Sequence, residues 1–512
     1  MQDLYTALHD IFGYDDFRPG QEQIVNQLLS GGDVLAVMPT GAGKSLCYQL
    51  PAVLLPGVTV VVSPLISLMK DQVQALLQMG VRAAYINSSL TENQCRLALR
   101  NAAAGMYKVV YAAPERLLTP AFLHFAQAAQ VSLLCVDEAH CVSQWGQDFR
   151  PSYQHIRQFA DLLPRPVPIG AFTATATARV KQDIRAMLAL RNPLEVATGF
   201  DRPNLWFEVQ QLRPKEKYPA LTLYLETHPD TSGIVYCATR KTVDQVYTKL
   251  AADGYAAARY HAGMEPEERR CSQDAFVYDQ VRVMVATNAF GMGIDKSNVG
   301  FVIHYNMPMD IESYYQEAGR AGRDGQPADC ILLYSPGDVK TGQFLIDSGE
   351  PQPGADPDIQ EELKDAQRQR LKKMTFYCHS EKCLRSELLW YFGEHSPRQC
   401  GNCSVCRPEA QRAAVSILLA RRELRRAAAE EANLDDKLLA GLKALRLALA
   451  KRAGVPAFVV FTDETLRDMC RKRPHSPEEM RAVSGVGAAK LQRYGQEFLA
   501  AIADYERSGS TR

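Results

Sequence analysis

Long apolar runs are missing from this sequence: those near Val34 and Val58 have the length of a strand, too short to span a bilayer. The stretch Met1 to Phe12 lacks both the basic start and the apolar core of a secretory signal, so a cytoplasmic location with no membrane partner is expected. An excess of either charge is also missing. Lys plus Arg and Asp plus Glu each total 58, so net charge says nothing of a polyanionic partner, and any nucleic-acid site must be a local basic surface. Low-complexity runs are scarce, and a composition 46% hydrophobic and 23% charged excludes wholesale disorder. The 13 cysteines are expected to be reduced in that compartment, and Cys47, Cys135 and Cys237, inside apolar segments, read as small buried hydrophobes.

What is present is an alternation. From Val34 to Thr177, short runs such as VLAVMP, VTVVVSP, YKVVYAAP and SLLCVDEAH alternate with helical-period stretches such as SLMKDQVQALLQMG, the pattern of parallel strands with crossover helices. It restarts at Gly233 with GIVYC, VRVMVAT and GFVIHYN, without an obvious repeat between the two parts. TGFDRPN, with Gly, Pro and Asn, marks a boundary, and GEPQPGADPD reads as an exposed connector, after which the chain is mainly helical. The expected fold class is α/β: two parallel-sheet domains over 1–200 and 201–340, then a helical subdomain over 341–406, a helical linker over 407–433 and an all-α bundle over 434–512.

Two motifs carry chemistry. MPTGAGKS follows an apolar strand and opens a helical stretch. Gly41 and Gly43 let backbone amides face phosphate oxygens, Lys44 reaches the terminal phosphates, and Ser45 suits Mg²⁺, with Thr40 completing the loop, one residue shorter at its front than the strict form. LLCVDEAH is an apolar strand ending in two carboxylates, where Asp137 can join the Mg²⁺ shell and Glu138 can orient or deprotonate a water. A Gly-rich turn of no chemical meaning is the plainer reading of the first, against which its strand and helix flanks count; an acidic strand end is common in surface turns and alone is weak. Together, at domain-scale spacing, they indicate ATP hydrolysis.

With these in place the remaining motifs resemble those of superfamily 2 helicases. SPLISLMKDQ and APER resemble strand contacts of the first motor domain, and FTATAT resembles the element coupling hydrolysis to strand binding. VATNAFGMGIDK and YYQEAGRAGRDG resemble the last two helicase motifs. The second of these carries Gln316, Arg320 and Arg323, with Arg323 as the arginine finger and Arg320 beside it; a solvated helix face is the plainer reading. The resemblance implies two RecA-like motor domains that close on ATP.

Three further segments resemble the RecQ family of DNA helicases. YDDFRPGQEQ resembles its adenine-recognition element, in which Gln21 reads the base edge while Arg18 and Tyr14 stack on it. CVSQWGQDFRPSY resembles its aromatic-rich loop, with Trp145 and Phe149 offering faces to unpaired bases and Arg150 near phosphates. That loop departs from the family at Gln147, where a His is usual. Cys383, Cys400, Cys403 and Cys406 give four thiols suited to Zn²⁺; an iron–sulfur cradle is the alternative, and Cys378 and His379 are the alternative ligands. The C-terminal bundle resembles the HRDC module, in which Phe458 is a candidate single-strand contact and Lys490 and Arg493 follow a GVG turn able to face phosphate; protein docking and core packing are the competing readings. Arg407 to Asn433 is too short for the winged-helix domain many members carry there. The resemblance implies an ATP-dependent 3′–5′ DNA helicase of repair and recombination that uses ATP, Mg²⁺ and Zn²⁺. Its implied partners are single-stranded and partially duplex DNA and single-strand-binding or repair proteins, at the nucleoid. An RNA helicase, or a DNA-binding or annealing protein with weak ATPase, are the other readings.

Overall fold

The computed structural model describes residues 4–145, 149–290, 296–349, 357–410 and 434–509. The chain divides into two compact units. One joins residues up to Gly199 with the C-terminal bundle from Asp435; the other begins at Phe200 and runs through the cysteine cluster.

The first unit is built on seven strands, β1 (Val34–Val37), β2 (Val58–Val62), β3 (Ala83–Ile86), β4 (Val109–Ala112), β5 (Val131–Val136), β6 (Ile169–Thr173) and β7 (Leu194–Ala197), in the order β3-β4-β2-β5-β6-β1-β7. Every pairing is parallel. The sequence explains this: Val34–Val37 and Val58–Val62 are buried at every position, the continuous apolar run of a strand covered on both faces. Full burial of Val60, Val61 and Val62 contributes about 1.5–3 kcal/mol each. Asp33, just before β1, accepts from the Ile169 and Arg191 amides at 2.9 and 2.6 Å, fixing β1 against its neighbours.

The helices of the bundle, Leu434–Ala453, Asp463–Lys472 and Ala488–Gly509 among them, enclose a core around Phe461, Leu466, Met469 and Phe498. It packs within the same unit on the N-terminal region. The Gly485 amide donates to the Gly13 carbonyl at 2.7 Å, Arg481 pairs with Asp10, and Arg493 and Tyr494 donate to the Gln78 side chain at 2.7 and 3.0 Å.

The second unit has six parallel strands, β8 (Leu205–Gln211), β9 (Gly233–Tyr236), β10 (Ala257–Tyr260), β11 (Val283–Ala286), β12 (Phe301–His304) and β13 (Ala328–Tyr334), in the order β10-β11-β9-β12-β13-β8. Helices Pro336–Asp347, Pro357–Cys378 and Leu384–Tyr391 follow, and the cysteine segment rejoins the sheet through a bridge between Cys403 and Phe207. Most of the expected helical linker, residues 411–433, lies outside the described residues, as do Gln147 and most of the GEPQPGADPD connector.

Candidate active site

In the first unit β5, β6 and β1 are adjacent, so the loops leaving their C-terminal ends meet. After β1, Gly41 and Gly43 adopt φ of +84° and +80°, the left-handed region that glycine enters without strain, and helix Lys44–Leu54 begins directly behind them. The Lys44 ammonium is buried with no hydrogen-bond partner among the described residues. Burying an unpaired charge is costly, so an anion belongs there, and a loop of amides at a helix N-terminus with a poised lysine fits a nucleotide's phosphates. Ser45 sits on the first turn of the helix.

Around this loop Arg18 donates to the Gly41 carbonyl, and the exposed Tyr14 lies on the same segment. Gln21 is 2% exposed. Its amide accepts from the Arg18 N–H at 2.9 Å and donates to the Ala42 and Gly43 carbonyls at 3.1 and 3.2 Å. In this conformation the Gln21 amide bonds the phosphate loop.

Asp137, 6% exposed, ends β5 and accepts from the Glu138 amide at 3.0 Å. Glu138 has a φ of +47°, a strained turn that carries its side chain to within 3.4 Å of the His140 ring. His140 bonds Thr173 at 2.8 Å, and Thr173 in turn donates to the Thr175 carbonyl at 3.0 Å. The acidic motif and the Thr-Ala-Thr motif are thereby joined by a buried chain of hydrogen bonds, a connection not visible in the spacing of the two motifs. In the aromatic-rich loop Trp145 and Phe149 are half-buried, with the Arg179 guanidinium 3.5 Å from the Trp145 ring centroid. Arg150 donates to the Pro64 carbonyl at 3.0 Å, which ties this loop to the SPLIS segment.

In the second unit helix Ile311–Ala318 ends in the turn bearing Arg320, which is 8% exposed, and Arg323. Arg320 is thus not on a solvated face. Tyr236, beside it, donates to the Phe290 carbonyl at 3.0 Å and stacks on His304, which bonds Glu317 at 2.8 Å.

The thiols of Cys383, Cys400, Cys403 and Cys406 lie within 4.8 Å of one another. The Cys383 and Cys403 sulfurs are 3.9 Å apart, against about 3.8 Å for tetrahedral thiolates on zinc. Against the opposing effect of burial, hydrogen bonds from Ser386 bring Cys383 down to about 7, while burial pushes Cys400 up to about 12. It is the four-sulfur geometry that fits Zn²⁺. Cys378 and His379 are not part of it: Cys378 is buried elsewhere, and His379 bonds Tyr334 at 3.0 Å.

In the bundle the structure favours the packing reading. Phe458 is partly buried against the bundle core, and its burial supports core packing over strand contact. Lys490 is 9% exposed over the Phe461 ring, and burial brings it down to about 8. The Gly485 amide of the GVG turn is used on Gly13, and Arg493 is used on Gln78.

Over 98% of its length the chain is 38% identical to the ATP-dependent DNA helicase RecQ of Bacillus subtilis, of which it covers 98%. The chain belongs to the RecQ family of ATP-dependent DNA helicases. It is 34% identical to the RecQ of Pasteurella multocida over 99% of this chain and 94% of that one. Family models match at 18–184 (DEAD/DEAH box helicase), 216–325 (helicase conserved C-terminal domain), 336–407 (RecQ zinc-binding) and 435–502 (HRDC domain). This RecQ-family chain is an ATP hydrolase with two RecA-like domains. Its fold matches that of the Mycobacterium smegmatis helicase Lhr bound to single-stranded DNA and AMP-PNP (TM-score 0.53, 18% identity, covering 71% of this chain and 56% of that one). It also matches the yeast Dbp5 bound to RNA and ADP BeF3 (0.53, 19%, 69% and 93%). The match to the B. subtilis relative extends over 596 aligned positions although this chain has 512 residues, so that relative carries sequence with no counterpart here. No helix among the described residues is long and apolar enough to cross a membrane.

Proposed function

We propose that this RecQ-family helicase translocates 3′ to 5′ on single-stranded DNA and displaces the complementary strand, drawing on ATP hydrolysis. Lys44, with the amides of Gly41 and Gly43 and the Thr40 and Ser45 hydroxyls, binds the phosphates; Asp137 with Ser45 holds Mg²⁺, which offsets phosphate charge; Glu138 orients the attacking water. Arg323, with Arg320, supplies the positive charge that the transferred γ-phosphoryl requires. The single observation that carries this reading is the buried Lys44 ammonium, without a hydrogen-bond partner among the described residues, at the end of the glycine loop after β1, with Asp137 and Glu138 following β5 two strands away in the same sheet.

Tyr14 and Arg18 flank the adenine. Trp145, Phe149 and Arg150 meet the translocating strand, and the His140–Thr173 bond transmits its presence to Glu138. The 408–434 gap between the zinc and HRDC models is where the winged-helix piece is missing, which predicts weak duplex grip. Single-strand-binding and repair proteins at the nucleoid are the proposed protein partners. Strand displacement on 3′-tailed, 5′-tailed and blunt duplexes, DNA and RNA in parallel, tests the reading. Unwinding from 3′ DNA tails is expected; unwinding from 5′ tails alone, or from RNA alone, would overturn it.

A further inference from the structure

The segment that opens the second unit is braced on two sides. Its residues 200–205 are fixed from one side by the helical, cysteine-bearing part of the second unit. Arg385, 5% exposed, donates to the Asp201 carboxylate at 2.7 Å and to the Arg202 and Leu205 carbonyls. Asn402, inside the thiol cluster's CGNC turn, donates to the Pro203 and Leu205 carbonyls at 3.0 Å each. Phe200 stacks on Phe392 with ring centroids 4.5 Å apart.

From its other side the same segment reaches the arginine turn. The Arg202 guanidinium donates to the carbonyls of Gly319, Ala321 and Gly322 at 3.2, 3.0 and 2.8 Å. Asn204 donates to the carbonyls of Gly322 and Gln326 at 2.9 and 2.8 Å. Arg320 and Arg323 are interleaved with these acceptors. A turn beyond a helix C-terminus has orphan carbonyls, and a planar guanidinium can satisfy several at once while complementing the negative end of the dipole. Gly322 has a φ of +57°, and a Cβ there would come within 2.5 Å of the Asn204 side chain, so the turn and its clamp are fitted to each other.

We infer that Arg202 and Asn204 are positioning residues for ATP hydrolysis, holding the backbone that aims Arg320 and Arg323. This rests on the assignment of those arginines to the γ-phosphoryl. Removing the clamp leaves both guanidinium groups in place but frees the turn that carries them. Misplacement by about 1 Å is enough for a loss of about 10²-fold in turnover.

The test uses the full chain with single-stranded DNA. Arg202→Ala and Asn204→Ala are compared with Arg323→Ala and with the Arg202→Ala/Arg323→Ala double variant, reading kcat and KM for ATP, affinity for a fluorescent ADP analogue, and zinc content. The expected result is a kcat fall of about 10- to 100-fold for Arg202→Ala and a smaller one for Asn204→Ala, with KM, ADP affinity and zinc content near those of the parent. The double variant is expected to lose less than the product of the two single losses, because the clamp acts in part through Arg323. Parent-like kcat in both clamp variants alongside an impaired Arg323→Ala overturns the inference alone, as do losses that multiply in the double variant. Parent-like turnover by Arg323→Ala overturns the arginine assignment and the inference with it. Should Arg202→Ala misfold, Asn204→Ala decides by the same criteria.

Discussion

In the first unit the loop after β1 carries left-handed glycines and leaves a lysine ammonium buried with no partner among the described residues; in the second, the turn after helix Ile311–Ala318 has carbonyls capped by Arg202 and Asn204. The first loop leaves a cation open to an anion, whereas the second is held in shape by side chains of its own unit. The difference matches two tasks. Phosphate binding needs donors left unsatisfied by the fold, and transition-state charge neutralisation needs a guanidinium on a backbone that does not drift. Substitutions should therefore act differently in the two units, in the first through loss of a ligand contact and in the second through loss of support.

The largest expected effect is in the first. Lys44→Ala should lower DNA-stimulated ATP turnover by about 10²- to 10³-fold while leaving the melting temperature unchanged or raised, since the residue's charge is uncompensated without nucleotide. A matched turnover and melting assay checks both. On the second unit, Cys403→Ser removes a fully buried thiol from the four-sulfur cluster. Bound zinc, measured by metal analysis, should fall below one equivalent, and the unit's melting transition should drop, because site formation contributes folding free energy.

Smaller effects sharpen the comparison within the first unit. Thr173→Val deprives His140 and the Thr175 carbonyl of a buried partner, at a cost of about 1–3 kcal/mol in stability. It should depress the stimulation of ATPase by single-stranded DNA more than the unstimulated rate. Lys490→Met leaves ATP turnover alone and changes stability with the opposite sign. Burial holds this amine near 8 in the folded bundle, below the ordinary lysine value, so at pH 7 folding bears the cost of a buried charge. That cost fades as pH rises from about 8 toward the unfolded value, where the unfolded chain alone still binds the proton. Lys490→Met should accordingly stabilise the bundle by about 1–3 kcal/mol at pH 7 and by much less at pH 10, measured by denaturant unfolding at both.

Much of this architecture could be read from the sequence because its decisive signals are local. GAGKS after an apolar strand, DEAH at a strand end and thiols two residues apart each combine chemistry and context within a few positions. The fully buried strands were legible for the same reason, as unbroken Val, Leu and Ala runs. What escaped was tertiary. Arg202 and Asn204 lie in a stretch whose Gly, Pro and Asn mark a linker, and only the folded chain brings them to carbonyls more than a hundred residues away. The His140–Thr173 bond spans two motifs whose contact depends on β5 pairing with β6. Phe458 and Lys490 were drawn toward nucleic acid by residue type, whereas burial, which sequence periodicity in a small bundle does not resolve, turns both inward. Gln21 shows the same limit in reverse: its motif was plain, but its use as a latch on Gly43 depends on the loop's conformation.

The central proposal is that Lys44 and Asp137 hold the nucleotide and that Arg323 acts on its γ-phosphoryl. The most direct measurement is single-turnover hydrolysis beside equilibrium ATP-analogue binding for Arg323→Ala, with single-stranded DNA present. The account predicts near-parent affinity with hydrolysis slower by about 10³-fold; hydrolysis at the parent rate would contradict it.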